Sequence, residues 1–97
     1  MAAKVTGTLT ATGRSQTVQL QYDFNLAVWG TFVGAMALER SLDGGATWQN
    51  CSTDAAGTAN SITGPVSLVC REPEAGVLYS LNCSGYTSGT INYRFSQ

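Results

Sequence analysis

Apolar and polar side chains alternate along most of this chain with a period of two residues, the period of a strand with one buried face. No window keeps the 3.6-residue period of an amphipathic helix. The pattern therefore predicts an all-β protein. The alternating apolar positions from residue 18 onward, which are expected to face a core, are Val18, Leu20, Tyr22, Phe24, Leu26, Val28, Tyr79, Leu81, Cys83, Ile91, Tyr93 and Phe95.

Breaks in this alternation divide the first part of the chain into short predicted strands. These strands cover residues 5–11, 17–22 and 24–29. Asp23 lies between the last two, where we expect a bulge or a tight turn. After Gly30-Thr31 comes Phe32–Leu42, a mostly apolar run rich in small residues. It favours a strand covered on both faces, or one against which another chain packs closely.

The second part of the chain continues in the same way. Strands are expected at 66–70, 77–84 and 91–95, with exposed loops or turns at 52–64, 71–76 and 85–89. About seven or eight short strands joined by regular turns predict a single antiparallel β-sandwich, one domain over residues 1–97. Jelly-roll and immunoglobulin-like topologies both fit.

The turn Ser41–Trp48 has its own chemistry. Its sequence, Ser-Leu-Asp-Gly-Gly-Ala-Thr-Trp, fits the Asp-box pattern Ser-x-Asp-x-Gly-x-Thr-Trp. Glycine accepts positive φ, and an aspartate can accept hydrogen bonds from the N–H groups of its own turn. We therefore expect a β-hairpin in which Trp48 anchors the turn to the core. The structural residues of this turn are Ser41, Asp43, Gly44, Gly45, Thr47 and Trp48.

The charged fraction is low, 11% against about a quarter in an average domain. The five basic residues are scattered singly, so the sequence predicts no nucleic-acid partner. No apolar run approaches the roughly 20 residues that span a bilayer, and the first residues lack the apolar core of a signal peptide. We expect no membrane association.

The chain contains no histidine, so a serine or cysteine nucleophile would lack its usual base. Glu72 and Glu74 flank a proline in the predicted 71–76 loop, where we expect both to be solvated. Asp43 alone supplies too few oxygens for calcium. The sequence therefore predicts no enzyme, no metal and no cofactor.

Three cysteines, at positions 51, 70 and 83, lack the short spacing of zinc ligands. They are interpreted as small buried side chains in a reducing compartment. A Cys70–Cys83 disulfide stays open as an alternative.

Aromatic residues outside the expected core are candidates for contact with a partner. Trp29 and Tyr86 border turns, and the apolar run contributes further candidates. The predicted interface residues are Trp29, Phe32, Val33, Met36 and Tyr86.

Four segments together resemble small β-sandwich virion proteins of tailed bacteriophages. They are Phe32-Val33-Gly34, the hairpin 40–48, the acidic loop Glu72–Gly76 and the terminal strand Thr87–Arg94. The resemblance covers roughly residues 24–97. It implies a capsid decoration (cement) protein or a related head or tail accessory protein, which acts in the virion after assembly in the bacterial host cytoplasm.

The expected function is thus a non-enzymatic structural protein that binds the capsid lattice and stabilises it. The resemblance implies a homo-oligomer, with a trimer favoured, and a major capsid protein or other virion protein as partner. The alternative is a small carbohydrate-binding or adhesion module at a phage tail or fibre, using Trp29 or Tyr86.

Overall fold

The chain folds into two antiparallel β-sheets that share one core, which confirms the predicted β-sandwich. The structure, a computed structural model, describes residues 4–51 and 60–97. Within these residues no helix is long and apolar enough to span a membrane. The strands are β1 Lys4–Leu9, β2 Gly13–Arg14, β3 Val18–Gln19, β4 Tyr22–Trp29, β5 Phe32–Ser41, β6 Gln49–Asn50, β7 Val66–Glu72, β8 Leu78–Gly89 and β9 Ile91–Ser96.

The first sheet has the strand order β1-β9-β4-β7. The second has the order β2-β8-β5-β6, with β3 also paired to β8. No two neighbouring strands of the first sheet are consecutive along the chain, because the chain passes to the second sheet after β4 and returns from it before β9. Strands β4 and β9 are the centre of the first sheet. Strands β5 and β8 are the centre of the second.

Most core residues are inward side chains of these four central strands. Eleven of the twelve positions predicted from the alternation are buried, each at most 8% exposed. The prediction is wrong for Tyr22, which begins β4 with a φ of +66° and is 59% exposed, because the chain passes there from one sheet to the other. The rings of Phe24 and Tyr79, one from each sheet, lie with their centroids 4.6 Å apart. Full burial of one such apolar side chain contributes about 1.5–3 kcal/mol, so this layer is the main stabilising element of the sandwich.

The predicted turn at 85–89 is wrong, because β8 continues through Gly89. Its register against β5 shifts twice, which leaves Ser84 and Thr87 as extra residues in two bulges. The chain reverses instead at Gly89, whose φ is +95°, and the Thr90 N–H donates to the Thr31 carbonyl over 3.1 Å.

Three further boundaries differ from the sequence prediction. The break expected at Asp23 comes earlier, between β3 and β4, where the chain passes from the second sheet to the first. The predicted loop 52–64 lies partly outside the described residues, and its Ile62 is buried and bridges Met36 of β5. The predicted loop 71–76 is shorter, since β7 runs on through Glu72.

Candidate functional site

The Ser41–Trp48 turn is held by a hydrogen-bond network within the turn. The Ser41 hydroxyl is fully buried, donates to Asp43 Oδ1 over 2.7 Å and accepts the Gly45 N–H over 2.8 Å. Asp43 also accepts the Thr47 N–H over 2.9 Å and the Thr47 hydroxyl over 2.5 Å. Gly44 and Gly45 take φ values of +75° and +98°, as the tight turn requires.

Hydrogen bonds within the turn occupy both oxygens of the Asp43 carboxylate. Hydrogen bonds from the Thr47 hydroxyl, the Thr47 N–H and the Ser41 hydroxyl lower its pKa to about 2. Its contribution to stability is present above its ordinary pKa of 3.8 and is lost as the pH falls towards 2. Among the described residues, no group of three or more cysteine, aspartate or glutamate side chains is placed to hold a metal ion.

Trp48 is anchored differently from the prediction. It is half-buried and does not belong to the core cluster. The Arg14 guanidinium lies 4.2 Å from the ring centroid, and Arg14 also pairs with Glu39 over 2.6 Å. The ring is therefore held on the outer side of the second sheet by a cation–π contact, because Arg14 on β2 lies there beside Glu39 of β5.

We expect Ser41→Ala to lower the free energy of unfolding by about 1–2 kcal/mol, because it leaves the Gly45 N–H without its acceptor and Asp43 without one donor. Urea unfolding measures this change. Ser88→Ala removes an exposed hydroxyl from β8 and is the control, with an expected change within about 0.5 kcal/mol. Equal values for the two variants would show that the network does not stabilise the turn.

A second polar cluster lies between the sheets and was missed by the sequence prediction. Glu72 is 1% exposed. Its carboxylate accepts hydrogen bonds from the Arg40 guanidinium, from the Tyr79 hydroxyl over 2.8 Å and from the Glu74 N–H over 3.0 Å. The expectation that Glu72 and Glu74 are both solvated is wrong for Glu72, because β7 extends to this residue and turns it inward.

The charge state of Glu72 follows from these partners. Burial raises the pKa of the carboxyl, but hydrogen bonds from the Glu74 N–H, Tyr79 and Arg40 outweigh it and lower the pKa below its ordinary value. Burial, and then the bond to Glu72, raise the pKa of the Tyr79 hydroxyl. At neutral pH the cluster is a carboxylate–guanidinium pair with a neutral phenol, and it connects β5, β7 and β8.

A signal for this cluster was present in the sequence. In β7 the half-buried positions Leu68 and Cys70 are followed two residues later by Glu72. In β5 the buried Met36 and Leu38 are followed by Arg40. If the inward positions of each strand are continued by two more residues, Glu72 of β7 and Arg40 of β5 both point into the space between the sheets.

The three cysteines are free thiols, so the alternative Cys70–Cys83 disulfide is not formed. Cys83 is buried, and Cys51 and Cys70 are half-buried. Burial raises the pKa of all three thiols, that of Cys51 to about 11. They are therefore protonated at neutral pH and lack the thiolate of a reactive cysteine.

The five candidate interface residues divide into three groups by exposure. Trp29 and Val33 are exposed, by 46% and 58%. Met36 is 1% exposed and belongs to the core, so it is not available to a partner. Phe32 and Tyr86 are half-buried against the core, and the Tyr86 hydroxyl donates to the Gly89 carbonyl over 2.5 Å. The bulges of β8 and the pairing with β5 turn these residues inward.

Three large exposed side chains were not among the candidates. Tyr22 is 59% exposed, Leu42 is 53% exposed and Val69, near the middle of β7, is 81% exposed. Val69 alternates with the inward-facing Leu68 and Cys70, so the period of two did indicate that it faces outward.

Comparison of the chain with protein-family models, with curated proteins and with solved structures found no match.

Proposed function

We propose that this chain is a non-enzymatic structural protein of a tailed-bacteriophage virion, a capsid decoration protein that binds the capsid lattice as a homo-oligomer. The observation that carries the proposal is the distribution of charge and apolar surface. Most basic side chains are paired with acids of the same chain, whereas several large apolar side chains are exposed.

Internal ion pairs use most of the basic groups. Of the five basic residues in the chain, three pair with acids: Arg14 with Glu39, Arg40 with Glu72 and Arg71 with Asp23. Such pairs leave little net field to attract a charged ligand. A neutral surface of this kind suits contact with another folded protein, since the centres of protein interfaces are depleted of charge.

Apolar side chains are exposed on both sheets. Trp29 and Val69 lie on the first sheet, and Val33 lies on the second. A decoration protein contacts both its own copies and the lattice beneath, which requires more than one adhesive surface. Weak contacts repeated on a lattice add through avidity.

Quantitative mass spectrometry of purified virions tests the proposal. We expect the chain in the particle at a copy number that scales with the major capsid protein, because each lattice position offers one binding site. Absence from the washed particle, or a copy number of only a few, would contradict a decoration role.

A second candidate, a carbohydrate-binding module, is favoured by the row Thr8, Asn92 and Trp29 on the outer face of the first sheet. An exposed indole can stack on a pyranose ring while neighbouring amide and hydroxyl groups bind its hydroxyls. Titration with host surface glycans would quench tryptophan fluorescence in the native chain and not in Trp29→Ala. An unchanged signal in the native chain would remove this candidate. Tyr86 no longer supports it, because that residue packs against the core.

A further inference from the structure

The free edge of the first sheet at β7 differs from the other sheet edges of the molecule. The first sheet ends in β1 and β7, and the second ends in two-residue strands. Natural proteins protect edge strands by shortness, charged side chains, proline or bulges. Strand β1 carries Lys4 and an interior Gly7. Strand β7 is seven residues long, and its two charged residues, Arg71 and Glu72, lie at one end and are paired with Asp23 and Arg40, so its first five residues carry no charge or proline. Within the described residues β7 pairs only with β4, in a continuous register.

The side chains of β7 fit a second copy of the same strand. The outward-facing residues are Ser67, Val69 and Arg71, and Arg71 already pairs with Asp23 over 3.2 Å. Val69 is the middle residue of the strand and, at 81%, has the highest exposed fraction of the large exposed apolar side chains. A row of backbone donors and acceptors that no other described strand pairs, with an apolar residue at its centre, is a template for strand pairing.

We infer that two copies of this chain pair through β7 in an antiparallel register centred on Val69, forming a continuous eight-stranded sheet across a two-fold axis. The inference rests on the oligomeric part of the proposed function and not on the capsid as partner. All seven residues of β7 pair in this register. Val69 lies opposite the partner's Val69, and Ser67 lies opposite the partner's Arg71.

This register is self-complementary. No two like charges lie opposite each other, and a valine pair of this kind is favourable in a strand ladder. On the inner face, Leu68 lies opposite the partner's Cys70. Leu68 and Cys70 line a cavity of about 460 Å³ together with Leu38, Cys51 and Tyr79. The second copy would cover the side of the sandwich on which this cavity lies.

Light scattering with size-exclusion chromatography tests the pairing without any capsid. The native chain is expected at twice its 10.2 kDa mass. Val69→Lys places two ammonium groups opposite each other on the axis, and we expect it to raise the dissociation constant by about tenfold or more. Thr6→Lys, which adds the same charge at an exposed β-branched residue on β1, the opposite edge of the same sheet, is the control and should leave the dimer intact. Circular dichroism establishes that both variants are folded.

A cysteine pair tests the register. In the proposed dimer two Val69→Cys side chains lie within about 5 Å, close enough for a disulfide, whereas two Ser67→Cys side chains are four residues apart, about 13 Å. Oxidised glutathione accepts the two electrons and two protons of the thiols and leaves as two reduced molecules. We expect covalent dimer from Val69→Cys in excess of Ser67→Cys and of the native chain.

A native mass of one chain or of three chains, or equal cross-linking of the two cysteine variants, would overturn the inference. A dimer that fails to appear in virions would overturn the proposed function instead, so the two failures are distinguishable.

Discussion

Replacing Glu72 with alanine is expected to lower the free energy of unfolding by about 3 kcal/mol. The substitution leaves the Tyr79 hydroxyl and the Glu74 N–H without their acceptor, and Arg40 without its counter-charge. Removing one member of a buried ion pair costs about 3–5 kcal/mol. We expect the lower end of this range, because the Arg40 side chain is 38% exposed and water screens its charge.

Urea unfolding at neutral pH measures this effect. Glu74→Ala is the control: it removes an exposed carboxylate two residues away and keeps the N–H that bonds Glu72, so we expect a change within about 0.5 kcal/mol. Similar losses in the two variants would mean that the buried cluster does not hold β5, β7 and β8 together.

The same pair predicts a pH dependence. Because the pKa of Glu72 is lower in the folded chain than its ordinary 4.5, its stabilising contribution is complete above about 4.5 and is lost as the pH falls through the lower value. The stability difference between the native chain and Glu72→Gln should therefore shrink in acid. A difference that stays constant from pH 7 to pH 3 would contradict the lowered pKa.

Replacing Gly89 with alanine is expected to destabilise the chain by about 2–4 kcal/mol. Its φ of +95° is strained for any residue with a side chain. A Cβ atom there would also lie 2.1 Å from the Thr31 carbonyl oxygen and 2.6 Å from the Phe32 Cα. Both are backbone atoms, so the turn between β8 and β9 must move away from the start of β5.

Alanine substitutions at two other glycines distinguish the cost of a strained backbone from the cost of steric overlap. Gly44 also has positive φ but has open space around its Cβ position, so Gly44→Ala should cost about 1 kcal/mol from strain alone. Gly64 has open space and no positive φ, so Gly64→Ala should change stability by less than about 0.5 kcal/mol. If Gly89→Ala costs no more than Gly44→Ala, the close approach to β5 does not constrain the turn.

Features that depend on neighbours in the sequence were predictable. The core positions of β4, β8 and β9 follow from a period of two, which needs no knowledge of the partner strand. The Ser41–Trp48 turn was predictable for the same reason, since its hydrogen bonds join residues no more than four apart.

Features that depend on residues far away in the sequence could not be predicted in the same way. The alternation of β7 turns Glu72 inward, but the burial of its carboxylate depends on Arg40, 32 residues away in the sequence, and no local pattern pairs the two. The turn expected at 85–89 is replaced by two bulges because β8 follows the register of β5. Met36 was predicted as an interface residue because it lies in an apolar run. The run itself does not show which of its two faces packs against the core, since that depends on how the sheets pair.

The candidate site also combines features that are local in the sequence with features that depend on distant residues. The Asp-box hairpin stood out in the sequence, and its residues serve the turn itself. Trp29 was a candidate from the sequence because it borders a turn, and it is exposed. The edge of β7 was not predictable, because its position at the end of the first sheet depends on the order of the strands.

The most direct test of the account is whether the purified chain binds assembled capsids. Capsids of the phage that we propose encodes this chain, produced without it, would be incubated with increasing protein and then sedimented. We predict that the protein cosediments, that binding saturates at a fixed ratio to the major capsid protein, and that occupied capsids resist heat better than bare ones. Protein that stays in the supernatant at every concentration would contradict the proposal that this sandwich is built for assembly on a lattice.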